Sequence, residues 1–288
     1  MRCPACNRST SFALPNTRRN SVKFDFEIFD SHTHIYPDDR GGFWRFPSSE
    51  DALIESMDAA NISKSLVISI APFIANDELY KKISPYKDRL LMAGSIDPFS
   101  HECLDQIRAS VENYSIKAIK LHPRLHEFGY AQIDTILPIA KECEQLNIAL
   151  IICSFCGGKD LFKSRILEMC HQIALDCSNL TMIMAHAGGH RPIETLLAMK
   201  SCLNLYVDLS FSPLYFKGTS VELDFNYLIK KADPQRVLFG SDFPELSMQD
   251  SIDWFLAAAQ KLSLSKSHSR AILGENAHRL FLTEKDKK

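Results

Sequence analysis

The sequence contains no run of apolar residues that approaches the roughly 20 residues of a membrane-spanning helix. Its longest apolar runs, of which residues 148–153 are an example, have the length of a buried strand. This absence excludes a protein anchored by apolar helices, and we expect no membrane partner.

An excess of positive charge is also missing. The chain has 33 lysine and arginine residues against 35 aspartate and glutamate residues, which gives a formal net charge of −2. Proteins that bind nucleic acid or an anionic membrane surface carry a basic patch or stripe. We therefore expect no nucleic-acid partner. With 45% hydrophobic and 24% charged residues, the chain has the composition of a globular protein, which excludes disorder throughout.

No signal peptide and no regular cysteine framework accompany the nine cysteines. An odd number of cysteines in a long chain is typical of free thiols in a reducing compartment. We therefore expect a cytoplasmic protein.

Acidic residues are absent from the first 24 positions, which contain several arginines, serines and threonines. Organelle transit peptides and short disordered tails share this composition. We expect a flexible N-terminal tail over residues 1–24 and one folded domain over residues 25–288. Cys3 and Cys6 have half the spacing of a zinc knuckle, but the other Cys-x-x-Cys pair, Cys153 and Cys156, lies far along the chain. We interpret the first pair as incidental thiols.

From residue 25 onward, short β-branched or apolar runs alternate with stretches of helical periodicity. Eight such runs occur, at residues 26–30, 65–71, 90–96, 116–121, 148–154, 181–187, 205–211 and 237–241. Eightfold strand–helix alternation predicts a (β/α)₈ TIM barrel in a single domain. The alternative is an open doubly wound sheet. It is disfavoured because no Gly-x-Gly-x-x-Gly follows the first strand, where His32-Thr-His34 stands instead.

Side chains that can bind a metal or titrate follow six of the predicted strands. They are His32 and His34 after strand 1, Lys120 and His122 after strand 4, Cys153 after strand 5, His186 after strand 6, Asp208 after strand 7 and Asp242 after strand 8. The C-terminal strand ends carry the active site of a barrel. Singly, each residue has a structural explanation, such as a turn cap for Asp242, but their coincidence at six strand ends predicts a functional site.

The residue types at these ends indicate metal chemistry. A His-x-His pair with a further histidine and an aspartate suits Zn²⁺ or a similar divalent ion. A catalytic zinc keeps one position open for water and lowers the pKa of that water toward about 7. A neighbouring carboxylate such as Asp242 can then bind the ion, orient the water or take its proton.

Six stretches resemble the amidohydrolase superfamily, specifically the branch typified by aminocarboxymuconate semialdehyde decarboxylase. They are Phe29-Asp-Ser-His-Thr-His34, Ile119-Lys-Leu-His-Pro123, Met184-Ala-His-Ala-Gly-Gly189, Val207-Asp-Leu-Ser210, Val237-Leu-Phe-Gly-Ser-Asp-Phe-Pro244 and Ile272-Leu-Gly-Glu-Asn-Ala-His-Arg-Leu280. The resemblance implies a (β/α)₈ barrel with one divalent metal, for which we expect zinc. It implies metal ligands at His32, His34, a histidine of strand 5 and Asp242, with His186 as the catalytic histidine.

Strand 5 departs from this pattern, because Cys153 stands where the family usually has its histidine ligand. Thiolate is a good zinc ligand, so Cys153 is a candidate for the fourth position with altered electronics. The same substitution can instead weaken the metal site.

The leading functional hypothesis is a metal-dependent hydrolase of a small carboxylate-bearing, lactone or amide substrate, with His186 and Asp242 as catalytic residues. Lys120, His122 and Arg124 offer positive or hydrogen-bonding groups to such a substrate. The alternative within enzymes is a non-oxidative decarboxylase of an aromatic or unsaturated acid. A third hypothesis, a barrel without catalysis, is supported only by Cys153. Barrels of this branch often pair, so we expect a homodimer.

Overall fold

The computed structural model describes residues 25–36, 47–70, 72–155, 161 and 164–282. The predictions made for residues 1–24, for Cys3, Cys6 and Cys156, and for residues 283–288 lie outside the described residues.

Eight parallel strands form one sheet in which every strand pairs with the next along the chain. The strands are β1 (Ile28–Thr33), β2 (Ile62–Ile68), β3 (Leu90–Ser95), β4 (Ala118–Leu121), β5 (Ala149–Cys153), β6 (Met182–Ala185), β7 (Leu205–Asp208) and β8 (Val237–Leu238). This order is that of a (β/α)₈ barrel in a single domain, and it confirms the predicted fold class.

Backbone hydrogen bonds between β1 and the segment that follows β8 complete the ring. The amide of Ser31 donates to the carbonyl of Phe239 at 2.9 Å, and the amide of His34 donates to the carbonyl of Phe243 at 2.7 Å. The amide of Asp242 in turn donates to the carbonyl of His32 at 2.9 Å. The first and last strand ends are therefore held side by side, which places the His-x-His motif next to Asp242.

Helices follow the strands and cover the outside of the barrel. They are α1 (Glu50–Ala59), α2 (Asn76–Ile83), α3 (Cys103–Tyr114), α4 (Ile133–Gln145), α5 (Ile166–Asp176), α6 (Pro192–Ser201), α7 (Ser212–Tyr215), α8 (Ser220–Lys231), α9 (Met248–Leu262), α10 (Lys266–Arg270) and α11 (Asn276–Phe281), with a π-helical turn at Ala271–Glu275. Serine side chains cap three of them, because the hydroxyls of Ser49, Ser247 and Ser265 accept otherwise unpaired amides of the first turns of α1, α9 and α10.

Apolar side chains fill two layers around the strands. The inner layer lies inside the barrel and includes Phe29, Leu66, Ile68, Ala93, Ala118, Ile151, Ile183 and Leu238. The outer layer, between strands and helices, holds their strand neighbours, among them Val67, Ile119, Leu150 and Ile152. Both layers follow from strand geometry, since successive side chains point to opposite faces of a sheet.

The observed ends of β1 and β6 differ from the predicted ones. β1 begins later than predicted and runs through His32 to Thr33, with irregular pairing to β2 along the motif. β6 stops before His186, because His186 and Ala187 have positive φ angles of 64° and 46° that a strand does not accommodate. The pairing of β1 with its neighbours on both sides is not visible in a one-dimensional apolar pattern.

Candidate functional site

Alternation along the strands carries three polar side chains into the upper end of the barrel. Ala118 and Ile151 belong to the inner layer, and Tyr206 packs against it. Residues i and i+2 of a strand point to the same side. Their partners two positions later are Lys120, Cys153 and Asp208, and all three are buried. The predicted grouping of these strand ends is thus what the barrel geometry produces.

The imidazoles of His32 and His34 lie side by side, with ring centroids 5.2 Å apart. Nδ1 of His32 lies 2.8 Å from Oδ2 of Asp208, and Nδ1 of His34 lies 2.8 Å from the carbonyl oxygen of Ile68. A carbonyl and an ionised carboxylate only accept hydrogen bonds, so each Nδ1 carries the proton and donates it. Burial lowers the pKa of both histidines, which keeps the rings neutral and leaves a lone pair rather than a proton on each Nε2.

These two lone pairs meet one carboxylate oxygen. Oδ1 of Asp242 lies 3.4 Å from Nε2 of His32 and 3.5 Å from Nε2 of His34. Three acceptor atoms without a proton between them repel one another unless a cation lies among them. Ligands bound to a tetrahedral zinc at about 2.0–2.1 Å are themselves about 3.3–3.4 Å apart. The donor set therefore fits a divalent metal ion.

His186 also belongs to this cluster. One ligand atom each of His32, His186 and Asp242 lies within 4.8 Å of the other two. Burial opposes the charge of Asp242, but its electrostatic interactions with the nearby imidazoles of His34, His186 and His32 outweigh burial and hold the pKa of that carboxyl well below its usual range. Asp242 is thus available as an ionised ligand.

Asp208 connects His32 with His186. Its Oδ1 accepts the amide of His186 at 3.0 Å, the amide of Ser210 at 3.1 Å and a short hydrogen bond from the Ser210 hydroxyl. That hydroxyl lies 2.8 Å from Nδ1 of His186. Burial opposes ionisation of Asp208, but the charge and hydrogen bond of His32 outweigh it and lower its pKa. The sequence indicated Asp208 by its place after a predicted strand, but it assigned Asp208 no role in the site.

Cys153 is buried beside His186 rather than within the 4.8 Å cluster. Burial raises the pKa of its thiol, but the charge of His186, a hydrogen bond with that ring and the charges of Lys120 and Arg124 outweigh the effect and lower it to about 7. Ligation by Cys153 stays a prediction. What the geometry provides is a thiol that contacts the imidazole of His186.

Lys120 is enclosed inside the barrel next to His32. Its side chain is 1% exposed, and its Nζ lies 3.1 Å from Nε2 of His32. Burial lowers the pKa of this lysine, while the charges of Cys153, Asp208 and Asp242 raise it. Lys120 was expected to bind substrate together with His122 and Arg124. The structure places it among the histidines and carboxylates of the site.

His122 and Arg124 lie on the loop that follows β4. Nδ1 of His122 is buried and has no hydrogen-bond partner among the described residues. Burial and the charges of Lys120 and Arg124 lower the pKa of His122 to about 3, so the ring is neutral at physiological pH. The guanidinium of Arg124 lies 5.7 Å from the ring centroid of Phe155. His122 can therefore offer a polar atom, and Arg124 can offer its charge next to an aromatic ring.

That aromatic surface was not anticipated from the sequence. Phe155 and Phe211 meet edge to face with centroids 4.9 Å apart, and Tyr215 stacks on Phe211 at 5.2 Å. The Phe211 ring lies 6.0 Å from the imidazole of His186. We call Phe155, Phe211 and Tyr215 the aromatic wall. Phe155 lies on the loop after β5, whereas Phe211 and Tyr215 lie at the two ends of the short helix α7 after β7, and no periodicity links the three.

Two site residues have strained backbones. His186 and Asp242 both have a φ angle of 64°, in the left-handed region that non-glycine residues enter rarely. The bond from the Asp242 amide to the His32 carbonyl and the bond from the His186 amide to Asp208 hold these conformations. Such strain concentrates at functional sites, where the surrounding structure fixes it.

Comparison with known proteins gives the chain a family. The family model described as Amidohydrolase matches residues 29–282. No match was found among curated proteins. None of the helices in the described part of the chain has the length and hydropathy needed to cross a membrane.

Solved structures share the fold at low sequence identity. An uncharacterised TIM-barrel protein from Bordetella bronchiseptica is 19% identical with a TM-score of 0.75, covering 88% of this chain and 98% of its own. A probable 2-pyrone-4,6-dicarboxylic acid hydrolase from Acinetobacter baumannii is 16% identical with a TM-score of 0.64, covering 89% and 99%. The 2,6-dihydroxybenzoate decarboxylase from Rhizobium has the same identity and TM-score, covering 88% and 98%. At these identities the likeness shows the fold alone.

Proposed function

Because the chain belongs to the amidohydrolase family, we propose that it is a metal-dependent hydrolase of a small carboxylate-bearing, lactone or amide substrate. The proposal rests on the close approach of two neutral imidazoles, those of His32 and His34, to the ionised carboxylate of Asp242. Nε2 of His32 and Nε2 of His34 both face Oδ1 of Asp242 without a proton to share. Such a set is suited to binding a cation.

In this proposal His32, His34 and Asp242 hold one divalent ion, for which zinc is the candidate that the ligand types favour. When bound, such an ion lowers the pKa of a water molecule toward about 7 and polarises a substrate oxygen. The carboxylate of Asp208 and the carbonyl of Ile68 orient the two rings through their Nδ1 protons. Partners of this kind fix the tautomer and orientation of metal-binding histidines.

His186 is the group we propose to move the proton. Its Nδ1 is engaged with the Ser210 hydroxyl, which donates to Asp208. This chain of hydrogen bonds orients the ring and leaves Nε2 for the reacting atoms. Asp242 is a weaker base, because its pKa is held well below the usual range. His186 can therefore take a proton from water and return it to the leaving group.

His122, Arg124 and the aromatic wall are proposed to bind the substrate. The unpartnered Nδ1 of His122 provides a hydrogen-bonding atom, and Arg124 provides a positive charge for a carboxylate. The aromatic wall offers an apolar surface next to His186. Together these groups suit a small anion with one apolar face.

A substrate screen tests the proposed function. Metal-free protein, prepared with a chelator, is assayed against lactones, amides and aromatic acids before and after addition of Zn²⁺. We expect hydrolysis of at least one lactone or amide that requires the ion. The variant His32→Ala should lose this activity, whereas His101→Ala, at a histidine whose side chain is 92% exposed, should keep it.

Two results contradict this proposal. Release of CO₂ from an aromatic acid without hydrolysis of any lactone or amide identifies a decarboxylase instead. An absence of turnover in protein that binds zinc supports the barrel without catalysis.

The proposal includes a cellular compartment and an oligomeric state. We propose a cytoplasmic enzyme that acts as a homodimer on a small molecule. Support for a reducing compartment comes from the free thiols of the described cysteines, which are Cys103, Cys143, Cys153, Cys170, Cys177 and Cys202. Cell fractionation and light scattering of the purified protein test the location and the dimer.

A further inference from the structure

Lys120 contacts Nε2 of His32, the nitrogen that would bind the proposed metal ion. Nζ of Lys120 is 3.1 Å from Nε2 of His32, within hydrogen-bond distance, and the lysine side chain is completely enclosed. Nδ1 of the same ring is occupied by Asp208. His32 therefore has one lone pair, and Lys120 faces it.

A single lone pair cannot serve two cations. A neutral imidazole offers one acceptor nitrogen, which either accepts an N–H hydrogen bond or binds a metal. Lys120 as an ammonium group has three donors and no acceptor, so it cannot bind the metal itself. Its charge also repels a divalent ion at this distance, and burial strengthens the repulsion. The hydrogen bond between Lys120 and His32 and a metal bond to His32 are thus mutually exclusive.

We propose that Lys120 is an internal competitor of the divalent ion: its ammonium group holds the lone pair of His32 in the metal-free site and leaves it when the ion binds. The inference rests on the proposed metal dependence of the enzyme. The displaced ammonium stays in favourable surroundings, because the charges of Cys153, Asp208 and Asp242 stabilise its protonated form. Lys120 therefore lowers the affinity of the site for metal while keeping the empty site ordered.

The test measures metal affinity rather than activity. Full-length protein is made metal-free with a chelator and titrated with Zn²⁺ against a chromophoric chelator of known affinity. The variant Lys120→Met keeps an unbranched side chain of similar length and removes the charge. The control Lys117→Met removes a positive charge just before the N-terminal end of the same strand. We expect Lys120→Met to bind Zn²⁺ at least about tenfold more tightly than the natural chain, and Lys117→Met to bind within twofold of it.

Equal or weaker binding by Lys120→Met overturns the competition, since a lysine that ligates the ion or merely supports His32 would give that result. Zinc binding by Lys120→Met together with none by the natural chain supports it. An absence of binding to both proteins contradicts the competition and the proposed metal dependence together. Equal binding by both contradicts the competition alone.

A second measurement uses the unaltered protein, in case the variant does not fold. With ¹⁵N-labelled lysine, the Nζ signal of Lys120 is separated from the others because burial protects its protons from exchange. Addition of Zn²⁺ should shift this signal as the ammonium leaves His32. A signal that stays in place while one equivalent of zinc binds overturns the proposal.

Discussion

Oδ2 of Asp208 accepts the Nδ1 proton of His32 at 2.8 Å, and this bond decides which nitrogen of the ring faces the centre of the site. The other oxygen of the same carboxylate accepts three donors, which are the amides of His186 and Ser210 and the Ser210 hydroxyl. Asp208 therefore orients both a proposed metal ligand and the proposed catalytic histidine. It does so from a buried position, without itself reaching a substrate.

Asp208→Asn should weaken zinc binding by about 10- to 100-fold, the usual effect of losing a partner that orients a metal-binding histidine. The asparagine oxygen is needed by the three donors, so the amide NH₂ group must face Nδ1 of His32. The ring then keeps its proton on Nε2 and loses the lone pair that faces Asp242. Zinc affinity is measured by competition with a chromophoric chelator.

Asp134→Asn is the matched control, since Asp134 is an exposed carboxylate in the first turn of α4. It should bind zinc like the natural chain. Unchanged affinity in Asp208→Asn, with a native circular dichroism spectrum, would show that Asp208 does not set the tautomer of His32.

The barrel and the polar strand ends were predictable, because both depend on local regularities. Strand–helix alternation gives the barrel, and period-two alternation places His32 and His34 on one side. Their side-by-side placement near Asp242 is confirmed by the 3.4 and 3.5 Å distances to Oδ1 of that residue. Ring closure brings the first and last strands together whatever the loops contain.

Contacts across the barrel were not predictable. Lys120 faces His32 because β4 and β1 lie across the interior, and no sequence spacing encodes that distance. The link from Ser210 to His186 depends on where β6 ends, which the left-handed backbone at His186 determines. The aromatic wall joins the loop after β5 to the short helix α7 after β7, and no periodic pattern links the two.

The thiol of Cys153 should react with iodoacetamide in metal-free protein faster than the thiol of Cys143. Both are buried, but the surroundings of Cys153 lower its pKa to about 7, whereas burial and the charge of Glu142 raise the pKa of Cys143. The thiolate is the reactive form. Labelling of each cysteine is followed by mass spectrometry between pH 6 and 9.

The same experiment with and without zinc tests ligation by Cys153. Because the thiol contacts His186 and lies outside the 4.8 Å cluster, we expect its labelling rate to change less than about twofold on chelation. A rise of tenfold or more on removal of zinc would place Cys153 among the ligands, since a bound thiolate is protected from alkylation.

Asp30 should make the natural chain less stable as the pH rises from about 4 to about 7. The variant Asp30→Asn should lack this part of the pH dependence. Asp30 is fully buried, its Oδ2 has no hydrogen-bond partner among the described residues, and burial raises its pKa to about 7. The folded chain thus keeps a proton that the unfolded chain releases above about pH 4. The contribution of Asp30 to stability is intact below pH 4 and is lost progressively up to about pH 7.

Urea unfolding of metal-free protein at pH 5 and pH 8 measures this effect. The free energy of unfolding of Asp30→Asn relative to the natural chain should rise by about 2–4 kcal/mol between these pH values. Asparagine keeps an oxygen for the amides of His32 and Ser241, which now donate to Oδ1 of Asp30. A difference that is independent of pH would show that Asp30 is ionised in the folded protein.

Gly188→Ala should destabilise the protein by about 3 kcal/mol or more. Gly188 has a φ angle of 84°, and an added Cβ would lie 1.8 Å from Oγ1 of Thr195. The substitution therefore combines backbone strain with a steric clash next to His186. Gly218→Ala is the control, because its φ angle of 81° gives the same strain with no atom within 4 Å. That variant should lose only about 1–2 kcal/mol. If urea unfolding shows equal losses for the two variants, the side chain of Thr195 moves away from the added Cβ without lowering the free energy of unfolding.

Asp242→Asn should reduce turnover of the substrate found by the screen by at least about a hundredfold, the scale of a lost catalytic group. The change keeps the size of the side chain but removes the negative charge that faces His32 and His34. Zinc content, measured by mass spectrometry of the metal, should fall below one ion per chain, because an amide is a poor ligand for this ion. Asp176→Asn, at an exposed carboxylate of α5, should keep both zinc and activity. If Asp242→Asn stays folded with full zinc and near-normal turnover, the carboxylate is structural and the ion is held by the histidines.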